Sequence, residues 1–524
     1  MPAPVSPYTI LALAPFAPVP ASGYRPRVVE ADIYTLDEAL AAMAPRLWVE
    51  LPRDVCPEGG LDVAVTSFAG FRPDGLVKNV PYLAALAGCE AYLGQARASG
   101  AAPEDAAREI RSRWPSLPLD LTVAQAPSRP APADSQALDD LLSMVATQDA
   151  PQAPGGGQGL ADWQAQAGTL LARALAAIFA DAGWRSLEAA WSGARCLARK
   201  AGVKEGGRVR LKLCAAQAET LPDALGGLMA QMVQDTPHLT LVDHAFANTP
   251  ADVELLEQVL AFADTLLTPT VACLSLEFFG VGSWRELSRL GYLKAALADA
   301  RFAKFRKLAQ HPGAARLLLT LNRFLERAPY GPGNPARPAA FTEQGAPWLS
   351  PAWAVGTLAA KSVAACGWPS RLTDYREISL EELGVFDSGE GPAATEGLFD
   401  ENRIAEFLEM GVSPLAGARG RDMAFLPRQT ALDGGSFTFQ LFFGRVVSHL
   451  LEVRDQAPEE DRYDPAQAVT RALVNLFNQT GQLPPPDLVV EAGEKSEGRL
   501  ALDIAFTPPR QVMGGERLRF SFVW

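Results

Sequence analysis

The stretch that decides the fold reads Leu239-Thr-Leu-Val-Asp-His-Ala-Phe246, then Val253-Glu-Leu-Leu-Glu-Gln-Val-Leu-Ala-Phe-Ala-Asp-Thr-Leu-Leu267, then Thr270-Val-Ala-Cys-Leu-Ser-Leu-Glu-Phe278. Two short runs rich in apolar residues flank a longer one whose apolar residues recur at helical spacing, which gives strand, helix, strand. That order is a βαβ unit. It requires a sheet covered by helices, so the fold class is α/β. Working outward, a helix is predicted from about Gly159 to Phe179. Trp184, Leu187 and Trp191 then share a helical face, and Val209 to Leu213 reads as strand. From Arg301 the chain reads as helices and loops, with strands returning at Leu500–Ala505 and Arg517–Trp524.

Toward the N-terminus, Tyr8–Leu13 reads as a strand that ends before a loop holding Pro15, Pro18 and Pro20. Arg27–Glu30 is extended, and Thr35 with Glu38 has capping-box spacing for a helix to about Met43. Arg46–Glu50 and the alternating Leu61–Phe68 are strands, and Leu76, Val80, Leu83 and Leu86 open a helical region reaching Arg97. Between 122 and 159 the composition shifts to Ala, Pro, Ser, Gln and Gly, as in a flexible linker, with one short amphipathic helix expected at Ala137–Met144. Three parts follow: 1–121, the linker 122–159, and 160–524.

The 524 residues include 47 Lys+Arg against 60 Asp+Glu, so the net charge of -13 and the lack of a basic run argue against nucleic acid and anionic membranes as partners. The apolar run Pro351–Trp368 carries Lys361, so no membrane insertion is expected. The six cysteines are scattered without C-x-x-C spacing, and no charged region of a signal peptide precedes Arg25, which together point to a reducing, cytoplasmic setting. No lysine follows a glycine, so there is no phosphate loop, and neither G-x-S-x-G nor H-E-x-x-H occurs. Asp243-His244 are strand neighbours that face opposite ways, and Glu381-Glu382 and Glu459-Glu460 read as solvated faces. No catalytic, cofactor-binding or metal-ligating residue is therefore assigned, and no enzyme activity or cofactor is expected. Terminal strands without a catalytic constellation point to assembly.

Specific strings resemble the contractile sheath of type VI secretion. Phe68, Phe71, Pro73-Asp74, Leu76, Val80-Pro81, Leu83 and Leu86 resemble the small sheath subunit. From residue 160 the resemblance is to the large subunit, in one consistent order. It runs through Trp184-Arg-Ser-Leu-Glu188, Leu241-Val-Asp243, Phe278-Phe-Gly280, Arg323, Arg327-Ala-Pro-Tyr330, Phe341 with Glu343, Trp353, and Gly367-Trp368. It continues through Asn402-Arg403, Gly411-Val-Ser-Pro414, Arg445-Val-Val-Ser-His449 and Arg454-Asp455.

The resemblance implies a fused small-plus-large sheath protomer: a mixed sheet flanked by helices, a small-subunit-like domain packed on a larger α/β domain, and strands exchanged between protomers. It implies self-assembly into a helical homo-oligomer around an inner tube on a baseplate, with contraction driving the tube outward. The family's recycling ATPase recognises an N-terminal extension that the linker here replaces or shortens. Under this resemblance the exchanged strands are Tyr8, Ile10, Leu11 and Leu13 at one end and Leu518, Phe520 and Phe522 at the other. Arg323, Arg327, Glu343, Arg454 and Asp455 are structural ion pairs or contacts to the inner tube, the structural role being favoured. The alternatives are a non-contractile tube or collar built from the same protomer, and an α/β enzyme that assembles incidentally.

Overall fold

A computed structural model describes residues 6–19, 23–122, 157–233, 235–389, 391–456, 464–496, 499–513 and 515–524. The expected linker, with its helix at Ala137–Met144, lies almost wholly outside them. The chain opens with β1 (Tyr8–Ala14), β2 (Val28–Ala31) and α1 (Leu36–Met43). Next come the hairpin strands β3 (Arg46–Glu50) and β4 (Gly60–Ala64), then α2 (Pro73–Asn79), α3 (Pro81–Ser99), α4 (Pro103–Arg113) and α5 (Gly157–Ala180). After α6 (Ala182–Lys200), β5 (Val209–Ala215), α7 (Leu221–Gln231), β6 (Leu239–Phe246), α8 (Pro250–Thr265), β7 (Thr270–Leu274) and β8 (Leu317–Leu321) follow. The last third supplies α9 (Pro351–Cys366), α10 (Glu401–Glu409), β9 (Val412–Pro414), α11 (Phe437–Asp455), α12 (Pro465–Gln479), β10 (Val489–Ser496), β11 (Arg499–Phe506) and β12 (Leu518–Val523).

The packing falls into two units that cut across the expected division of the chain. The larger holds Met1–Pro45, Arg185–Pro329 and Ala346–Trp524, and the smaller holds Arg46–Trp184 and Tyr330–Gly345. The reason is β1. Its seven residues are buried without exception, and it lies parallel to both β5 and β6, with Ile10 opposite Leu211 on one side and Leu239 on the other. The sheet runs β9-β8-β7-β6-β1-β5-β2, and β2 alone is antiparallel to its neighbour. An apolar run with no polar alternation fits a parallel strand covered on both faces. It is thus the first strand of the chain that closes the larger unit's sheet.

Alternate side chains divide the two faces. Leu11, Leu13, Val242, Ala272 and Leu319 pack with Leu225 and Leu228 of α7 and with Leu256, Val259 and Phe262 of α8 in one hydrophobic cluster. On β6, Leu241 points the other way, toward Gly356 of α9, where a Cβ would lie 2.5 Å from a Leu241 methyl. Most of α9 is buried, Trp353 and Leu358 completely. At sixteen residues it spans about 24 Å, less than the ~30 Å of a bilayer core, so its apolarity reflects a core position. No helix among the described residues is long and apolar enough to cross a membrane.

In the smaller unit α3 packs along α5, burying Leu83, Leu86 and Leu93 together with Leu171 and Leu175. Phe71 and Phe179 lie 5.5 and 5.8 Å from Trp184, and Phe179 also meets Tyr330 and Phe341 at 5.4 and 5.2 Å.

Three local expectations are corrected. The strand predicted to Phe68 ends at Ala64, because Phe68–Phe71 coil into a short 3-10 turn. Thr35 does not cap α1 through its side chain; its hydroxyl oxygen accepts the Asp32 N–H at 2.9 Å, and Asp32 in turn accepts the Thr35 N–H. The region after Arg301 contributes two sheet strands, β8 and β9, where only helices and loops are expected from the sequence. Leu317-Leu-Leu-Thr-Leu321 has no period, and a short apolar run cannot be told from a buried helix segment by periodicity.

Candidate assembly surface

Because β1 has β5 on one edge and β6 on the other, it has no free backbone edge to lend to a neighbour. The expected exchange through Tyr8, Ile10, Leu11 and Leu13 is therefore corrected: the terminal position suggests a donor, but the uninterrupted apolarity belongs to a central strand.

The other end of the chain differs. β10, β11 and β12 form an antiparallel meander, with Leu502 opposite Phe522 and Ile504 opposite Phe520. One face is buried: Leu502, Ile504, Phe506 and Phe522 pack with Phe442, Val446 and Leu450 of α11 and with Leu473, Leu476 and Phe477 of α12. Phe520 meets Phe443 edge-on at 5.0 Å.

The backbone register identifies what β12 leaves open. Trp524 N–H donates to Leu500 O at 2.9 Å, so by antiparallel alternation the residues bonded to β11 are 518, 520 and 522. The amides and carbonyls of Arg519, Ser521 and Val523 point outward, with no strand beside them among the described residues. Arg454 reaches this edge. Its Nη1 donates to Val523 O at 3.4 Å, and it pairs with its exposed neighbour Asp455 at 3.0 Å. An edge of six residues with neither Pro nor Lys is one that strands readily join.

The remaining predicted polar residues are engaged inside their own units. Arg323 forks onto Glu396 through Nε at 2.8 Å and Nη2 at 2.7 Å. Arg327 holds Glu188 Oε1 through Nε at 2.9 Å and Nη2 at 2.8 Å. In the smaller unit Glu343 is buried, and its Oε2 accepts the Tyr330 N–H at 2.9 Å. Each contact matches geometry a folded body needs.

In open parallel sheets, ligands collect at the carboxyl ends of the strands. Here the chain fills that region itself. Asn322, just past β8 at φ +81, donates to Gly397 O and Leu415 O at 2.9 and 2.8 Å and accepts the Gly397 N–H at 2.8 Å. On β6, Asp243 accepts the Trp353 Nε1–H at 2.7 Å, while His244 turns to Asp252 at 3.1 Å. Burial holds the Asp243 carboxyl above the ordinary carboxylate range. No group of three or more His, Cys, Asp or Glu suited to a metal is present among the described residues.

At the amino ends lies a cluster that sequence reasoning missed. Arg445 of α11 is buried between the rings of Tyr8 and Trp368, 5.5 Å from each centroid. His238 Nδ1 accepts the Thr9 N–H at 3.0 Å, and His449 Nε2 stands 3.2 Å from Ala472 O. Burial first, with the charge of Arg445 adding to it, pushes His238 down to about 3, and burial pushes His449 down to about 4. The only sequence signal was i, i+4 spacing of Arg445 and His449 on one helix face.

Both histidines are depressed below the unfolded value, so the stability they contribute is complete above about pH 6.5 and is lost as pH falls toward the folded values. Between pH 6.5 and 4.5 each is expected to cost about 2 kcal/mol. Asp243 and Glu452, both raised by burial, act in the opposite direction. The check is therefore a difference: urea midpoints of wild type and His449→Asn across that range should converge as pH falls, and parallel curves would refute the assignment.

Residues 236–432, which carry β6 to β9 and the helices between them, match a family model described as EvpB/VC_A0108, tail sheath N-terminal domain. This part of the chain is similar to a tail-sheath domain. The chain is also 29% identical over 197 residues to the type VI secretion system sheath protein TssC1 of Pseudomonas aeruginosa, an alignment covering 35% of this chain and 40% of that relative. The match therefore spans less than half the length of the curated protein. Among solved structures, the anti-feeding prophage baseplate aligns at TM-score 0.35 and 12% identity over 62% of this chain and 79% of the other. The contracted helical sheath of the same particle aligns at 0.35 and 11%, over 63% and 77%. The sheath tail protein Lin1278 of Listeria innocua aligns at 0.33 and 10%, over 58% and 59%. The matched region contains the central βαβ unit and the filled carboxyl ends, whereas β12 lies beyond it.

Proposed function

We propose that this chain is a structural protomer of a helical contractile sheath in a type VI-like secretion machine. It polymerises in the cytoplasm around an inner tube on a baseplate, and it acts by assembly rather than catalysis. The observation that carries the reading is the open edge of β12 in a chain with a region similar to a tail-sheath domain. Main-chain hydrogen bonds from an adjacent copy give affinity, and the side chains around Leu518, Phe520 and Phe522 choose the partner. A head-to-tail contact of this kind, repeated without closing, builds a helical filament. Contraction is then a second packing of the same bodies. The reading includes a small-subunit-like N-terminal part fused to the sheath domain, which fixes their ratio at one to one and replaces a bimolecular encounter by an intramolecular one.

The edge can be closed without touching the fold. Proline at 519 removes one outward N–H and no bond to β11. Arg519→Pro is expected to abolish filaments in negative-stain microscopy while circular dichroism and the unfolding midpoint stay near wild type. Filaments of normal length from this variant would overturn the edge assignment.

A further inference from the structure

We infer that a groove at the amino-terminal end of the central sheet is a carboxylate-binding site, with Arg208 and Arg445 as its cations. The groove has a volume of about 930 Å³ and is walled by β2, β5, α1 and the loop leading into β5. Arg445 stands in its wall beside Ser6, Gly367 and Thr480. Nothing in this argument depends on the sheath reading.

The case rests on a buried cation with unpartnered donors. Arg445 is 4% exposed, and its Nε and Nη1 have no hydrogen-bond partner among the described residues. No carboxylate among them forms an ion pair with it, and two aromatic faces repay only part of the cost of burying a guanidinium. Arg208, exposed on the rim, adds a like charge rather than an opposite one, and its hydrogen bond goes to a carbonyl, Ala364 O, at 3.2 Å.

Glu30, Asp32, Glu38 and Glu205 also line the groove, and none of them pairs with Arg445. Glu30 pairs with Arg210 at 3.3 Å, and Asp32 accepts the amides of Tyr34, Thr35 and Glu205. Glu452, the acid whose charge Arg445 feels, accepts the Ser6 hydroxyl at 2.8 Å. What the described residues leave unmatched is thus the pair of buried donors on Arg445, at the inner end of the groove.

The walls identify the ligand class. Pro7, Val29 and Ala42 supply apolar surface beside the cations. That combination suits a carboxylate carried on a hydrocarbon or peptide body, which the guanidinium can grip, better than a bare inorganic anion. Two sources share this chemistry: a free small carboxylate, and an acidic side chain of a second copy of this chain.

Glutarate is the probe. Titrated into the full chain at constant ionic strength, it is expected to raise the thermal midpoint saturably. In Arg208→Gln, a substitution at an exposed position, the half-saturating concentration should rise about ten-fold or more. Arg445→Gln should abolish the effect if it folds, and the Arg208 variant carries the test if it does not. Sedimentation velocity separates the sources: glutarate weakens self-association if a neighbour's carboxylate normally occupies the site, and leaves it unchanged if the ligand is a free acid. A midpoint that does not move, or one that moves equally in wild type and Arg208→Gln, overturns the site.

Discussion

Trp353→Ala is expected to cost about 3–5 kcal/mol of unfolding free energy, among the largest single-residue losses in the larger unit. The indole is fully buried, meets Phe16 edge-on at 6.0 Å, and donates to Asp243 at 2.7 Å. It also lies flat against Gly193 of α6, where a Cβ would come within 2.5 Å of three ring atoms that cannot yield. Two milder variants separate these contributions. Gly193→Ala should destabilise even though alanine gains about 1 kcal/mol in helix propensity over glycine. Trp353→Phe keeps most of the volume but removes the indole donor from Asp243 and leaves only the Ser350 hydroxyl, for about 1–3 kcal/mol. Losing that donor raises the Asp243 pKa further. A raised carboxyl contributes stability below its unfolded value and loses it as pH rises through the folded one, so the Trp353→Phe deficit should widen toward neutral pH. Urea unfolding followed by circular dichroism measures all three, and a Trp353→Ala loss below about 1 kcal/mol would contradict the packing described.

The second large effect is expected at Arg327 and Glu188. The pair is largely buried, with side-chain exposures of 24% and 7%, and removing one partner takes a two-nitrogen ion pair from the other. Either Arg327→Met or Glu188→Leu should cost about 3–5 kcal/mol, and the double substitution Glu188→Leu with Arg327→Met should recover much of it. A double-mutant cycle reads the coupling. If instead the single variants keep full stability and lose only assembly, Arg327 serves an external partner, the alternative role raised by the resemblance.

How much of this was legible depended on where periodicity carried information. The βαβ unit stands where the sequence places it, although its second strand, expected to Phe278, ends at Leu274 before a 3-10 turn at Leu276–Phe279; its helix is long enough to show a 3.6-residue period and its strands are short and apolar. The same logic failed at Leu317–Leu321, where five buried residues in a row carry no period. It also misled at Tyr8–Ala14, since apolarity and terminal position both fit a lent strand, and only the pairing with β5 and β6 distinguishes a central one. The opposite case is Leu518–Val523. Its alternation of apolar residues with Arg519 and Ser521 announced a strand with one buried face, which the meander provides. The Arg445 cluster was out of reach because its members, Tyr8, His238, Trp368 and His449, come from four distant segments. Linear spacing holds no trace of a three-dimensional meeting of that kind.

The position of β1 also bears on synthesis. Its partners β5 and β6 emerge from the ribosome roughly 200 residues later, a wait of ~10–40 s at ordinary elongation rates. Throughout that interval a nascent, largely apolar segment has neither neighbour available, which makes it a substrate for holding chaperones and for premature sticking between chains. Joining the two ends and opening the chain just before β5 by circular permutation would place both partners ahead of this strand, and the yield of soluble protein should rise accordingly.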